Sequence, residues 1–354
     1  MRACEHRGLH WFAVLTAAAT LGLIGIGGVV TSKGVGLSVP DWPTTYGYNM
    51  FFFPVSKWVG GVFYEHSHRL AASGVGLMTT ILAVWLWLKE PRRWLRWLGV
   101  AAFIGVVLQG VLGGLRVTEL MDELGIVHAA LAQLFFVLVS AIALFTSRWW
   151  QTAASAAGAR PGGAGLRPWY AAATVLVFLQ LLLGAGMRHE HAGLAVPDFP
   201  LAYGKWWPDM DAASVERYNQ LRHEAVALNP ITAGGIALHM AHRAGAVLVL
   251  GTILMAAWKT RRHLERRHPL RRIAHGWTIL VAVQAGLGAA TVWSNKSADI
   301  ATLHVTVGAL VLVAGAMLVL MHYRLFAPAS AAVRKEVREP GLGGMEGDAS
   351  GVPV

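Results

Sequence analysis

Cysteine is nearly absent: Cys4 is the single one in 354 residues. One thiol excludes an intrachain disulfide and any multi-cysteine zinc or iron–sulfur centre. Charge is scarce as well. Asp, Glu, Lys and Arg make up 14% of the chain, against roughly 25% in soluble domains. The 55% of hydrophobic residues exclude a disordered chain. No P-loop, GxGxxG fingerprint or HExxH zinc motif occurs. Acidic residues number only 19 against 30 lysines and arginines, a formal net charge of +11.

What the chain has is long apolar runs. They cover Trp11 to Val30, His68 to Leu88, Trp97 to Leu115, Ile126 to Phe145, Trp169 to Met187, His239 to Trp258, Ile273 to Trp293 and Ile300 to Leu320. Each is close to the ~20 residues that cross about 30 Å of hydrocarbon. A backbone in lipid must satisfy its own hydrogen bonds, so the runs predict an all-α polytopic membrane protein with eight transmembrane helices. The first run is too long for a signal-peptide core and is read as an uncleaved helix.

Lysine and arginine set the expected orientation. Twenty of the 30 fall in the N-terminal tail, the even-to-odd loops and the C-terminal tail. The tract Lys259 to Arg272 alone holds seven. The positive-inside rule then places both termini in the cytoplasm of an integral cell (inner) membrane protein. The basic excess is a topology signal, so the partner it implies is the lipid bilayer and not nucleic acid.

The sequence also repeats itself. GLSVPDWPTTYG at Gly36–Gly47 returns as GLAVPDFPLAYG at Gly193–Gly204, an offset of 157. His68-Arg69 returns as His242-Arg243, offset 174, after a 17-residue insertion in the third outer loop. Gln109 and Gly113 return as Gln284 and Gly288 at offset 175, and His128 returns as His304 at offset 176. Ordered matches of this kind predict two pseudo-symmetric four-helix bundles related by an axis along the membrane normal. The expected divisions are an N-terminal half at 1–150, a cytoplasmic linker at 151–168, a C-terminal half at 169–325 and a disordered cytoplasmic tail at 326–354.

Four histidines follow the repeat. His68 and His128 in one half, and His242 and His304 in the other, stand near the outer ends of even-numbered spans. Polar side chains inside a membrane are costly and usually functional. Two imidazoles facing each other from two helices suit haem iron; zinc or copper wants more or softer ligands. Glycines such as Gly110, Gly113 and Gly114 leave room for a planar ligand, or serve helix packing. His239 shares a helical face with His242, and His66 faces away from His68. His189, His191 and His223 read as solvated loop residues. Glu65, three residues before His68, matches His239 in the other half, so a carboxylate accompanies only the first pair. It is a candidate catalytic group, or a helix-surface partner of Arg69.

These elements together resemble the haem A synthase family: E-x-x-H-R at Glu65–Arg69, His128, the H-R at His242, His304, and GLSVPDWP after the first span. The resemblance covers about residues 10–325. It implies a b-type haem held by His242 and His304, and substrate haem O held or oriented by His68 and His128 with catalytic Glu65 beside them. It further implies oxidation of the haem O C8 methyl to a formyl group, through a gem-diol that loses water, giving haem A for terminal oxidases. Partners implied are haem O synthase (protohaem farnesyltransferase), cytochrome oxidase assembly factors and an electron acceptor or donor. A di-haem b-type electron carrier explains the four histidines equally well, but not a glutamate that occurs once. Some bacterial members of the family carry a cysteine pair in the first outer loop; Val35 to Phe63 has none. Full haem A production is therefore expected from Cys4→Ser in membranes of expressing cells. A large loss at normal protein level would show that thiol chemistry is used after all.

Overall fold

The computed structural model describes residues 7–153, 163, 165–221 and 230–326. Cys4, His223, most of the stretch expected as a linker and the tail after Phe326 lie outside the described residues. Ten α-helices are described: α1 (Arg7–Ser32), α2 (Gly60–Lys89), α3 (Arg93–Thr118), α4 (Asp122–Thr146), α5 (Arg148–Ala153), α6 (Arg167–His189), α7 (Ala212–Gln220), α8 (Ala233–His263), α9 (Pro269–Trp293) and α10 (Ala298–Phe326). All except the short α5 and α7 are long and apolar enough to span a membrane. The chain is an all-α polytopic membrane protein.

Helices α2 and α8 begin earlier than the apolar runs that announce them. Tyr64, Glu65 and His66 lower the local hydropathy at the start of α2, yet Glu65 and His66 are buried, 4% and 0% exposed. They are helical because neighbouring loops partner them. Thr232 caps α8 by accepting from Gly235 N at 3.0 Å. Past the apolar run, α8 continues into Arg261, Arg262 and His263, cations that suit the negative end of a helix dipole. Within the third outer loop, Asp211 caps α7 through Ser214 N at 3.0 Å, and Tyr218 of α7 stacks on Tyr203.

The long helices pack as two rings. In one, α1 touches α2, α2 touches α3, α3 touches α4, and α4 returns to α1; in the other, α6, α8, α9 and α10 do the same. Between the rings α1 meets α10, α4 meets α6, and α4 meets α10. Each ring has its own hydrophobic core at the end away from the long loops. One gathers Leu9, Leu82, Leu86, Leu95 and Ile142. The other gathers Tyr170, Ile253, Leu270, Trp277 and Leu318. Paired polar atoms buried there include Tyr170 Oη with Thr260 Oγ1 at 2.6 Å and Trp277 Nε1 with Val311 O at 2.8 Å. A smaller third cluster, with Val196, Tyr218, Ile236 and Met240, packs the third outer loop against α8.

The long-loop end carries the two VPD segments, and the backbone bonds to their aspartates match. Asp41 accepts from Tyr46 N at 2.7 Å and Gly47 N at 2.8 Å. Asp198 accepts from Tyr203 N at 2.7 Å and Gly204 N at 2.9 Å. These are carboxylate-capped turns. The positive φ of Gly47 (76°) and Gly204 (75°) explains glycine at both places. Burial raises the Asp41 carboxyl, but bonds from Gly47, Thr44 and Tyr46 outweigh it and hold the group below the ordinary carboxylate range.

Candidate functional site: two pairs of imidazoles on glycine seats

The four repeated histidines stand near the long-loop ends of α2, α4, α8 and α10. Each ring turns its Cε1 edge to a glycine of a neighbouring helix in its own ring of four. A Cβ placed on Gly27 of α1 would stand 3.1 Å from His68 Cε1, and one on Gly184 of α6 would stand 3.2 Å from His242 Cε1. On Gly113 of α3 it would stand 3.4 Å from His128 Cε1, and on Gly288 of α9 3.1 Å from His304 Cε1. Gly27 and Gly184 differ by 157, and Gly113 and Gly288 by 175. These are the offsets of the repeat, so the seats are duplicated together with the rings. Gly110 has open space beside it, and Gly114 receives the Trp42 indole; room for a planar group at these glycines is thus Gly110's alone.

The second pair can be tested for fit to a metal porphyrin. An imidazole nitrogen binds a transition metal at about 2 Å, and the centroid lies roughly 1.1 Å behind it, so two ligands on opposite sides of one metal have centroids roughly 6 Å apart. The His242 and His304 centroids are 6.4 Å apart, with the rings inclined at 69°. Nδ1 of His68, His128 and His304 is buried without a partner. Among the described residues no cluster of three or more His, Cys, Asp or Glu could hold a bare metal ion. Pairs suffice where a macrocycle supplies the remaining ligands. Glutamines fix the histidine backbones: Gln109 Nε2 donates to His128 O at 3.1 Å, and Gln180 Nε2 to His242 O at 2.7 Å.

Arg69 and Arg243, the arginines of the two HR pairs, lace the VPD segments to α2 and α8. Arg69 donates to Asp41 O at 2.6 Å, Thr44 O at 3.0 Å and Val39 O at 2.9 Å. Arg243 donates to the equivalent carbonyls of Asp198 at 2.6 Å, Leu201 at 2.8 Å and Val196 at 3.4 Å. Glu65 belongs to this lacing. One carboxylate oxygen accepts from Val39 N at 2.9 Å and the other from Arg69 at 2.7 Å. In the second half His239 Nδ1 accepts from Val196 N at 3.3 Å. Of the two readings of Glu65, the pairing with Arg69 is present in the structure; its carboxylate also reaches into the loop, and the backbone N–H it satisfies explains why Glu and His occupy equivalent places. The loop so held presses Trp42 against Gly114, next to the seat of His128.

Other histidines divide by environment. His66 does face away from His68, packing on Trp58 and Phe53 and meeting Thr45 Oγ1 at 3.2 Å. His189 ends α6 rather than lying in a loop, and its ring lies against Gly125 of α4. His191 is exposed, with a φ of 52°. Sequence reasoning missed Gly27 and Gly184 as parts of the site. Their shared offset of 157, the same as that of the VPD segments, was the available signal.

The profile of the COX15-CtaA family, described as cytochrome oxidase assembly protein, matches residues 48–316. The chain belongs to the COX15-CtaA family. Relatives include a protein named Heme A synthase from Geobacillus kaustophilus (strain HTA426), 28% identical over 309 residues, covering 84% of this chain and 86% of the relative. Another, named Heme A synthase from Halalkalibacterium halodurans, is 27% identical over 313 residues, covering 84% and 92%. A third, from Bacillus mycoides (strain KBAB4) and of the same name, is 27% identical over 308 residues.

The seats give this COX15-CtaA protein a graded test. Gly288→Ala and Gly184→Ala should displace the His304 and His242 rings and shift or weaken the absorbance of any haem they ligate. Gly113→Ala, where a Cβ meets only ordinary contact, should be tolerated best. Unchanged reduced spectra in the first two variants would remove the seating role.

Proposed function

We propose that this chain is a haem A synthase, an oxidoreductase that converts the C8 methyl of haem O to a formyl group in haem A biosynthesis for cytochrome oxidase. The observation that carries the reading is the duplicated pair of glycine-seated imidazoles. It occurs in a family whose curated relatives are named for haem A synthesis and are covered almost end to end. In this reading the N-terminal half takes the substrate and the C-terminal half keeps a resident haem b.

His242 and His304 would hold the haem b, which when bound supplies electron transfer. Their spacing and inclination support that assignment. His68 and His128 would bind and orient haem O, each ring locked by its glycine so that the porphyrin meets a preformed pocket. The 36–47 segment, laced by Arg69 and Glu65, covers the long-loop end of that pair and limits water there. Glu65 acts as a positioning residue: it holds the segment in place through Val39 N–H and Arg69. With lysine and arginine concentrated at the short-connection end, the long-loop end faces outward and both termini are cytoplasmic. Haem O arrives from the farnesyl-transferring enzyme that makes it, and haem A leaves toward oxidase assembly factors.

The deciding experiment is a haem extract from cells co-expressing this protein and a haem O synthase. Haem A is expected. Haem B alone, with the protein present at normal level, would sink the enzyme reading and leave a di-haem electron carrier.

His242→Ala or His304→Ala should each deplete purified protein of haem b. Normal haem b content and spectrum in both variants would overturn the ligand assignment.

Glu65→Gln keeps one acceptor but breaks the charged pair with Arg69. Conversion of haem O should fall about tenfold, short of the roughly 10²–10⁴ expected for a general acid–base group, with haem b retained. Glu65→His, which copies His239, should recover most of the loss. Failure of His to rescue, with a 10²-fold or greater loss in Gln, would make Glu65 catalytic instead.

A further inference from the structure

One cation near the first histidine pair has no work in the fold described so far. Arg116 lies on α3, three residues beyond Gly113, and therefore one turn nearer the long-loop end on the same face. Gly113 seats His128. Gly125 lies three residues before His128 on α4, again one turn toward the long-loop end. A Cβ on Gly125 would stand 3.0 Å from Arg116 Nε, and one on Gly36 would stand 2.9 Å from Arg116 Nη1. The guanidinium is thus placed one helical turn above the His128 ring, between the start of α4 and the first residues of the VPD segment. Gly36 makes space for it, and at Gly125 it shares the space with the ring of His189, which stands nearer still.

Its buried donor is unspent. Nε is buried without a partner, and among the described residues no carboxylate or carbonyl accepts from the guanidinium. A half-buried guanidinium brings a permanent charge, and leaving its buried Nε–H unmatched is costly. Among the described residues the other arginines at this end are committed. Arg69 and Arg243 hold the VPD carbonyls, and Arg188 bridges to α1 through Gly28 O at 3.1 Å and Ser32 Oγ at 2.8 Å. The repeat does not explain Arg116 either. Its counterpart at offset 175 is Thr291, whose hydroxyl is satisfied by Leu287 O at 2.8 Å. The cation belongs to the substrate half alone.

We propose that Arg116 is the carboxylate anchor of the first histidine pair, pairing with a propionate on the edge of the porphyrin held at His68 and His128. The assignment rests on the reading of that pair as the substrate site. Arg is suited to carboxylates because its planar fork presents two parallel N–H donors. A ring fixed at its centre by imidazole can still spin about the metal–nitrogen axis. A second anchor on one edge stops that rotation. The methyl to be oxidised sits on a propionate-bearing pyrrole, so an anchored propionate fixes where that methyl lies, at the end covered by Trp42 and the 36–47 segment. Arg116 is in this sense a residue of regiospecificity as well as of binding.

The test uses full-length purified protein carrying its resident haem b, titrated with haem B and, separately, with haem B dimethyl ester. Uptake at the first pair is read as the absorbance change lost in His68→Ala. Wild type should bind the free acid about 10- to 100-fold more tightly than the ester, the span expected of a charge-assisted bond to a desolvated carboxylate. Arg116→Gln should lose that preference while its ester affinity stays at the wild-type value. Arg116→Lys, which keeps the charge, should keep part of the preference. The resident haem b spectrum reports whether each variant is folded, and the acid–ester comparison in wild type stands without any variant. Equal affinity of wild type for acid and ester overturns the anchor but leaves the substrate site standing. Equal loss of acid and ester binding in Arg116→Gln, with the haem b spectrum intact, makes Arg116 a packing residue and also overturns it. A wild-type chain that takes up no porphyrin at His68 and His128 overturns the substrate reading and the anchor together.

Discussion

The seating of the imidazoles at the long-loop end depends on glycines at which a methyl group would crowd a ring. Gly27, Gly184 and Gly288 let imidazole edges approach helix backbones more closely than a Cβ would leave room for, and Gly113 leaves the His128 ring in ordinary contact. Helix glycine is unfavourable by about 1 kcal/mol relative to alanine, and this chain accepts it at four matched positions. In return each ring loses its freedom to swing, and its remaining edge is aimed by the helix rather than by a flexible side chain. A ligand that meets such rings finds the geometry already set.

The second principle is lacing. In each half an arginine one residue after the histidine gathers three carbonyls of the VPD segment, so the group that covers the site and the group that forms it are adjacent in sequence. The halves then diverge in what accepts the valine N–H, a carboxylate in one and an imidazole in the other. That choice changes the charge near each mouth without changing the fold of the loop. Arg116 and Thr291 diverge in the same spirit. The frame is symmetric while the electrostatics are not.

Most of this was legible before any coordinates. Hydropathy located all eight spans, since lipid imposes one requirement on every one of them. The repeat located the four histidines, because polar residues in apolar runs are rare enough to stand out. The starts of α2 and α8 were missed by about a helical turn or two, because Glu65, His66 and His239 look like loop residues until their loop partners are seen. Glu65 itself shows the limit of face arguments: i and i+3 spacing put it on the side of His68, but a two-bond match to Val39 N–H and Arg69 turned its carboxylate toward the loop. The glycine seats were invisible for a related reason. Helices that pack side by side in a membrane are full of glycine, and only the facing ring distinguishes a seat from a packing groove.

The two larger hydrophobic cores sit at the end away from the histidines, and a smaller one packs the third outer loop against the start of α8. Stability and chemistry are therefore carried by different stretches of the same helices. A substitution near the first mouth alters what is held there without emptying a core, whereas the second mouth borders the cluster of Val196, Ile236 and Met240. Such separation makes a doubled gene tolerant of experiment. One half can keep an old prosthetic group in place as its twin acquires a new trade.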